Sequence, residues 1–270
     1  MPTSTTSTDI PEPVRALAEN PSVYGPAPPG FERVTEEGYC VFLGPMPQMT
    51  MVQRIRLGPD EVESALERVR ALARERQRPR VTWWLGNSST PEDLEERLLA
   101  FGLERASMPI HEPVYGALAL VHPPAGSSAG VTARQVETYE EFLRAAEIAF
   151  VAFGQTEEQR ESFLNAAPML YELGRQGVSA TYLAFVDGEP VACATAVFAN
   201  AAVMLMGGAT LPQARGRGCY RALVNARWRD GVERGTPALV VQAGQMSRPI
   251  LERLGFELVT ELRVFVDELG

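Results

Sequence analysis

A short loop rich in glycine and arginine carries the clearest chemical signal in this chain of 270 residues. The loop at 212–218 reads Pro-Gln-Ala-Arg-Gly-Arg-Gly; it follows a strand-like run, Val203–Met206, and opens a helix-like segment, Cys219–Gly231. The first N–H groups of a helix lack backbone partners and can bind an anion. Gly216 and Gly218 allow close approach to the main chain because they have no Cβ. With two arginine charges beside them, these features predict a diphosphate-binding loop.

Missing residues narrow the kinds of diphosphate site that the loop could form. The chain contains no lysine, so all 25 of its basic residues are arginine. This excludes a Walker A loop and Schiff-base chemistry, because both need a lysine. A Rossmann fingerprint needs a third glycine, and the corresponding position holds Arg221. The alternative to a diphosphate site is an ordinary strand-to-helix turn in an arginine-rich chain.

The segments around the loop have the patterns of regular elements. Two apolar runs, Thr181–Val186 and Val191–Phe198, flank an Asp-Gly-Glu-Pro turn, which predicts a hairpin. With the run before the loop, this gives three antiparallel strands, and apolar residues at helical spacing predict a helix after the loop. A strand, a helix and a final strand are predicted at Ala238–Val241, Arg248–Leu254 and Phe256–Val266.

This order of strands, glycine loop and helices resembles the core of the GNAT superfamily of N-acetyltransferases. The coenzyme A loop of that family has Gln or Arg, then Gly three residues later, then Gly or Ala two residues further, as at Gln213, Gly216 and Gly218. The Leu-Gly-Phe sequence at 254–256 resembles the family's hinge before the sixth strand. The resemblance covers about residues 131–268. It implies an α/β (α+β) fold with a mixed, mostly antiparallel central sheet flanked by helices.

The resemblance also implies acetyl-CoA as the cofactor, bound by the end of the fourth strand and by the loop. The residues expected to bind it are Gly208, Ala209, Thr210, Gln213, Ala214, Arg215, Gly216, Arg217, Gly218, Cys219 and Tyr220. The Tyr220 ring is expected to pack in the first turn of the helix. A helix N-terminus lowers the pKa of a thiol, so an acetyl-cysteine route through Cys219 is an alternative to a small residue beside the cofactor.

The first half of the chain repeats the order of elements of the second half. Strands and helices alternate as strand, strand, helix, strand, helix and strand, at Tyr39–Leu43, Met49–Leu57, Asp60–Arg76, Val81–Leu85, residues 90–102 and Val114–Leu120. We therefore predict a tandem arrangement in which residues 20–120 form a truncated, degenerate GNAT-like half-domain. An unrelated small α+β domain is the alternative.

The remaining boundaries follow from composition. Residues 1–19 are predicted to be flexible, and residues 121–130, rich in Pro, Gly and Ser, are predicted to link the half-domain to an acetyltransferase domain at 131–270. At the place of a coenzyme loop the first half has Pro59, which has no N–H, and Asp60, which is negative. The first half is therefore not expected to bind coenzyme A.

Composition also limits the partners and the compartment. A net charge of −9 disfavours nucleic acid and favours a cationic partner. No apolar run approaches the ~20 residues that span a bilayer. Three cysteines do not form a disulfide framework, so a cytoplasmic protein is expected. The two histidines lack neighbours at ligand spacing, so no metal is expected. The expected partner is an amine-bearing small molecule or peptide, and a homodimer is possible.

The acid and base of acetyl transfer are harder to assign. The family's usual Tyr and Asn fall on Leu251 and Gly244, which cannot donate a proton. Ser247 is the candidate acid, directly or through water, unless it only caps a helix. Gln242 could orient a water. Glu147 could hold a cationic amine or take its proton through water, unless it belongs to a solvated helix face.

Two functions remain open from the sequence. The first is an acetyl-CoA-dependent N-acetyltransferase, in which a primary amine attacks the thioester directly. The alternative is a catalytically weak or inactive protein that binds acetyl-CoA and serves as a sensor or interaction module. No motif identifies the amine.

Overall fold

The structure, a computed structural model, describes residues 9–108, 110–126 and 128–269. The helices are α1 Glu12–Glu19, α2 Pro21–Tyr24, α3 Val62–Glu75, α4 Leu94–Ala100, α5 Tyr139–Phe153, α6 Glu157–Arg175, α7 Cys219–Glu233 and α8 Arg248–Arg253. The strands are β1 Glu32–Thr35, β2 Cys40–Leu43, β3 Thr50–Gln53, β4 Arg80–Leu85, β5 Glu104–Arg105, β6 Val114–Leu120, β7 Val131–Gln135, β8 Ser179–Val186, β9 Glu189–Phe198, β10 Val203–Thr210, β11 Leu239–Ala243 and β12 Glu257–Glu268.

All of these strands belong to one sheet. Their order is β1-β2-β3-β4-β12-β6-β11-β10-β9-β8-β7, and the short β5 pairs with β12. Within the described part of the chain, the parallel pairs are β3 with β4 and β10 with β11, and the other pairs are antiparallel. The predicted mixed, mostly antiparallel sheet is therefore present.

The two halves of the chain exchange strands within this sheet. Strand β6 of the first half lies between β11 and β12 of the second half. Strand β12 of the second half lies between β4 and β5 of the first half, because Phe265 is paired with Trp83 on one side and Arg105 on the other. An ion pair from α3 to β12, Arg70 Nε to Asp267 Oδ2 at 2.8 Å, strengthens the second contact. The domain boundary at 121–130 stays a prediction, since one sheet crosses it.

Helices cover both faces of the second half of the sheet. Helix α7 packs on one face against β8, and its Leu223 shares a core cluster with Tyr182 of β8 and Leu251 of α8. Helix α5 buries Ile148 on the other face, against Leu183 of the same strand. This alternation follows from the two-residue period of a strand, and it fixes α5 and α7 on opposite sides of the strands that lead into the glycine loop.

The predicted flexible N-terminus differs from the structure. Residues Glu12–Glu19 form α1, and its Val14 and Leu17 are buried against β6, β11 and β12. The helix forms because its apolar side covers a face of the exchanged strands that would otherwise be exposed. Residues 1–8 of the predicted flexible segment lie outside the described residues. The sequence pattern also fails to predict three strands, which are β1, β5 and β7.

Candidate active site

A groove opens where β10 and β11 separate. The two parallel strands pair only at Val203 with Leu239 and at Met204 with Val240, in the part of the sheet that the structure describes. Beyond this point β10 remains paired with β9, and β11 remains paired with β6. Met206 is 47% exposed although it lies on a strand inside the sheet. The open space therefore lies between the two strands, and the facing edge of β10 has backbone groups without a strand partner.

A β-bulge shapes the wall of the groove. The pairing of β10 with β9 shifts between Met206 and Ala209, and Gly207 adopts φ +56° in this irregularity. A glycine adopts a positive φ without a steric penalty, so the bulge is compatible with the sequence. Gly208 follows, and a Cβ there would lie 2.6 Å from Cε2 of Tyr220. The Tyr220 ring therefore packs directly on the main chain of β10, as expected.

The glycine loop leaves four N–H groups free at the end of the groove. A turn of 3-10 helix at Pro212–Ala214 is followed by Gly216 at φ +78° and Gly218 at φ +88°, where α7 begins. No backbone acceptor in the described ranges bonds the N–H of Gly216, Gly218, Cys219 or Tyr220, although the N–H of Cys219 contacts its own thiol. A Cβ on Gly216 would meet nothing within 4 Å, so the loop is open on that side. The geometry has the properties of an anion cradle.

The two arginines of the loop differ in their surroundings. Arg217 donates from Nη2 to Oδ2 of Asp187, in the β8–β9 turn, over 3.2 Å. Both partners are exposed, so this ion pair contributes little and can exchange for another anion. Arg215 is exposed, and it has no side-chain partner among the residues that the structure describes. Both charges are therefore accessible to an anion at the loop.

The cysteine at the start of α7 does not have the properties of a nucleophile. Cys219 is 2% exposed, and its Sγ lies 3.8 Å from the carbonyl oxygen of Ala214. Burial raises the pKa of the Cys219 thiol above its ordinary value. The backbone N–H of Cys219 itself and the charge of Arg217 lower this pKa by less than burial raises it. The acetyl-cysteine route has no support in this geometry.

Two of the predicted catalytic residues lie on the segment from β11 to α8. Gln242 is on β11 where the groove opens, and its Nε2 atom is buried without a hydrogen-bond partner in the described chain. Ser247 precedes α8, and its Oγ donates to the carbonyl oxygen of Gly244 over 3.4 Å. Its side chain makes no capping hydrogen bond to the helix. Ser247 is thus not a side-chain N-cap, and its role as an acid remains a prediction.

The third predicted residue lies elsewhere around the loop. Glu147 is exposed on α5, and Arg144 Nη1 donates to its Oε2 over 2.9 Å. It lines a cleft of about 400 Å³ together with Leu211 and Gln213 at the start of the loop. The structure therefore brings Glu147 toward the predicted coenzyme loop, and its role toward an amine stays a prediction.

A carboxylate that the sequence analysis did not identify lies at the end of β11. Gln245 donates its backbone N–H to Oε2 of Glu112 over 2.7 Å. A Cβ on Gly244 would collide with this carboxylate. Glu112 thus occupies the volume of a side chain at 244, and it comes from the first half of the chain. In the sequence, the absence of a side chain at Gly244 was the only sign of this contact. The position of Glu112 depends on the insertion of β6 beside β11, which the sequence does not show.

Around Glu112 the loop before β6 is partly buried. The backbone N–H of Glu112 donates to the hydroxyl of Tyr115 over 3.2 Å. The rings of His111 and Tyr115 both contact Trp84, with centroids 5.3 and 5.1 Å away. Burial, followed by the charge of Arg80, lowers the pKa of His111, so this imidazole is neutral at physiological pH. Residues 111–115 are therefore held by packing against Trp84.

Two further searches cover the described residues. No group of three or more His, Cys, Asp or Glu side chains there could hold a metal ion. None of the helices in the described ranges has the length and apolar character needed to cross a membrane.

Comparison with known proteins adds evidence on the fold. No family model and no curated protein matches the chain. Among solved structures, a GCN5-related N-acetyltransferase from Kribbella flavida is 22% identical, with a TM-score of 0.70, over 95% of this chain and 96% of that chain. A tandem GNAT protein from the clavulanic acid biosynthesis pathway is 17% identical, with a TM-score of 0.59, over 95% and 88% of the two chains. A GCN5-related N-acetyltransferase from Sphaerobacter thermophilus is 16% identical, with a TM-score of 0.61, over 86% and 81%.

These similarities extend over both halves of the chain. The chain therefore has the GNAT fold in a two-part arrangement, and the predicted fold class is confirmed.

Proposed function

We propose that this chain, which has the fold of the GNAT N-acetyltransferases, is an acetyl-CoA-dependent N-acetyltransferase that acts on a primary amine. One observation carries the proposal: the groove between β10 and β11 leads to a loop whose free N–H groups form an anion cradle. In coenzyme A an amide-bearing arm separates the thiol from a diphosphate. The unpaired edge of β10 would bind the amide-bearing arm, and the anion cradle that follows it in the chain would bind the diphosphate.

The residues present fit this cofactor. The loop at 213–220 would hold the diphosphate, and Gly207 and Gly208 in the bulge would leave room for the arm beside β10. When bound, acetyl-CoA would supply the acetyl group as a thioester. Backbone N–H groups released from a strand by a bulge can polarise a carbonyl group. The unpartnered amide of Gln242 would orient the amine or a water in the same groove.

The experiment has a binding part and a turnover part. Coenzyme A should raise the melting temperature, because a ligand that binds only the folded state stabilises it by about 2.7 kcal/mol at about 100 times its Kd. Calorimetric titration should give one coenzyme A per chain, because Pro59 and Asp60 replace the cradle in the first half. Acetyl-CoA and a panel of primary amines should release free thiol. No thermal shift and no thiol release would contradict the proposal.

The second candidate function is a protein that binds acetyl-CoA without efficient turnover. The observation that favours it is Leu251, which is 0% exposed in the core at the position where the family resemblance places a tyrosine acid. The two functions differ in one result. A sensor would bind coenzyme A with the same stoichiometry, and it would release no thiol with any amine of the panel.

A further inference from the structure

We propose that Glu112 binds the ammonium group of the acceptor, and that the acceptor carries this group on an apolar body. This inference rests on the proposed function and names the class of substrate. It assigns a role to a residue of the first half of the chain in a site of the second half.

The strand register and the contacts of Glu112 place it at the end of β11, one of the two strands that border the groove. Strand β6 runs antiparallel to β11, with Ala117 opposite Gln242 and Gly116 opposite Ala243. The start of β6 therefore lies at the end of β11, and the Glu112 carboxylate contacts Gly244 there. At ~3.3 Å per residue, this contact is about 7 Å along the strand from Gln242, which is on β11 where the groove opens.

The negative charge of Glu112 is available to a cationic ligand. No arginine or histidine forms an ion pair with this carboxylate in the ranges that the structure describes. The guanidinium of Arg248, whose side chain contacts Gly116, is bonded to Glu252 and Glu261 instead. The carboxylate accepts one backbone hydrogen bond, from Gln245, which fixes its position without neutralising it. An ammonium group would supply the missing positive charge.

Exposed apolar side chains lie along the chain around this carboxylate. Ile110 and Val114 are each two residues from Glu112, and both are exposed. Met246 follows the residue that Glu112 binds and is 80% exposed. Met206, on β10 beside the groove, is also exposed. Exposed apolar side chains can mark a binding surface, and these lie within a few residues of a single negative charge or on the strand that borders the groove. A primary amine on an aryl or alkyl group matches this combination.

The same carboxylate can accept the proton that the amine must lose. The bound ammonium gives one proton to Glu112, and the nitrogen lone pair then forms the N–C bond with the acetyl group. The C–S bond breaks with its electron pair going to sulfur, and a second N–H proton goes to the thiolate. The third proton stays on the amide, and Glu112 returns its proton to solvent.

The test compares the wild type with Glu112→Gln, which keeps the size of the side chain and removes its charge. Binding of phenethylamine should weaken by about 10- to 100-fold in calorimetry, because a hydrogen bond to a charged group is lost. The affinity for coenzyme A should not change. Glu37→Gln, an exposed glutamate in the first half, is the control and should behave as the wild type.

A pH profile separates a chemical role from a structural one. In Glu112→Gln, kcat/KM for phenethylamine should fall by about 100-fold near neutral pH. The loss should shrink at about pH 10, where much of the amine is already neutral. Neutral His111 and the paired Arg248 add no new charge over the lower part of this range. An equal loss at all pH values, or unchanged amine binding, would overturn the role of Glu112.

The substrate class is tested with matched amines. The wild type should prefer phenethylamine and hexylamine over putrescine, and phenethyl alcohol should not bind. A preference for putrescine would overturn the apolar part of the proposal. If the wild type binds phenethylamine through Glu112 but acetylates no amine, the proposed function fails while the assignment of Glu112 stands.

Discussion

Glycines around the candidate site serve two different physical purposes. Gly216 and Gly218 adopt positive φ and leave N–H groups free, and this role follows from the sequence motif. Gly208 and Gly244 are needed because other side chains, Tyr220 and Glu112, occupy the volume of their missing Cβ atoms. The first role is local and could be predicted. The second depends on residues distant in sequence, so the sequence showed only an absent side chain.

The cradle can be tested by a substitution with a closely matched control. Gly216→Asp should abolish the thermal shift by coenzyme A, because it places a negative charge where the diphosphate would bind. Gly235→Asp, at the other end of α7, has nearly the same φ, +77° against +78°, and equal free space around the Cβ. It introduces the same backbone strain and should keep the shift. Retention of the shift in Gly216→Asp would show that the loop does not hold the cofactor.

The three cysteines should be unreactive in the folded protein. Burial raises the pKa of all three thiols, that of Cys193 to about 12, and all three side chains are buried. A disulfide-exchange reagent at about pH 8 should detect no protein thiol before denaturation and all three after it. The thiol-release assay would then have a low background. Rapid labelling of Cys219 in the native protein would contradict its burial.

At the scale of elements, the sequence predicts strands better than it predicts their neighbours. Val114–Leu120 is predicted with its exact bounds, because alternation and apolar content are local properties. Its position between β11 and β12 depends on pairings with residues more than a hundred positions away. Helix α1 was not predicted because its apolar residues are buried only once β6, β11 and β12 form one face of the sheet. The carboxylate of Glu112 was missed for the same reason.

Helix α8 offers a test of whether a tyrosine acid could be restored. Leu251 is 0% exposed and packs in the core with Leu223 and Leu254. Leu251→Tyr should therefore reduce the free energy of unfolding by about 1–3 kcal/mol through overpacking, measured by urea denaturation. Leu251→Met, which conserves volume, should cost less. A Leu251→Tyr variant as stable as the wild type would show that the site can accept the ring.

At the scale of the whole molecule, the exchange of β6 and β12 joins the two halves into one sheet. Tandem order could be predicted because the pattern of elements repeats. The exchange could not be predicted, because the residues of a strand do not show which half of the chain supplies its neighbouring strands. The first half contributes β6, which pairs with β11 on the side away from the groove, and Glu112, which contacts the chain just after β11, even though its own loop lacks a cradle.

Separated halves should not reproduce the site. Residues 131–270 alone lack β6, so β11 and β12 would have unpaired edges, which favour aggregation. This fragment should show no thermal shift with coenzyme A. Coexpression with residues 1–130 should restore a soluble complex that binds it. A soluble isolated fragment with wild-type affinity would show that the exchanged strand is dispensable.

The exchange also constrains the order in which the protein can be made. Strand β4 acquires its partner β12 only after the ribosome has synthesised residues 257–268, and Asp267 lies 197 positions beyond Arg70, its ion-pair partner. Until then the first half is a nascent chain with open strand edges, which chaperones recognise. Folding during translation can therefore begin in the first half but cannot be completed there. A ribosome stalled within β12 would hold both halves incomplete at once.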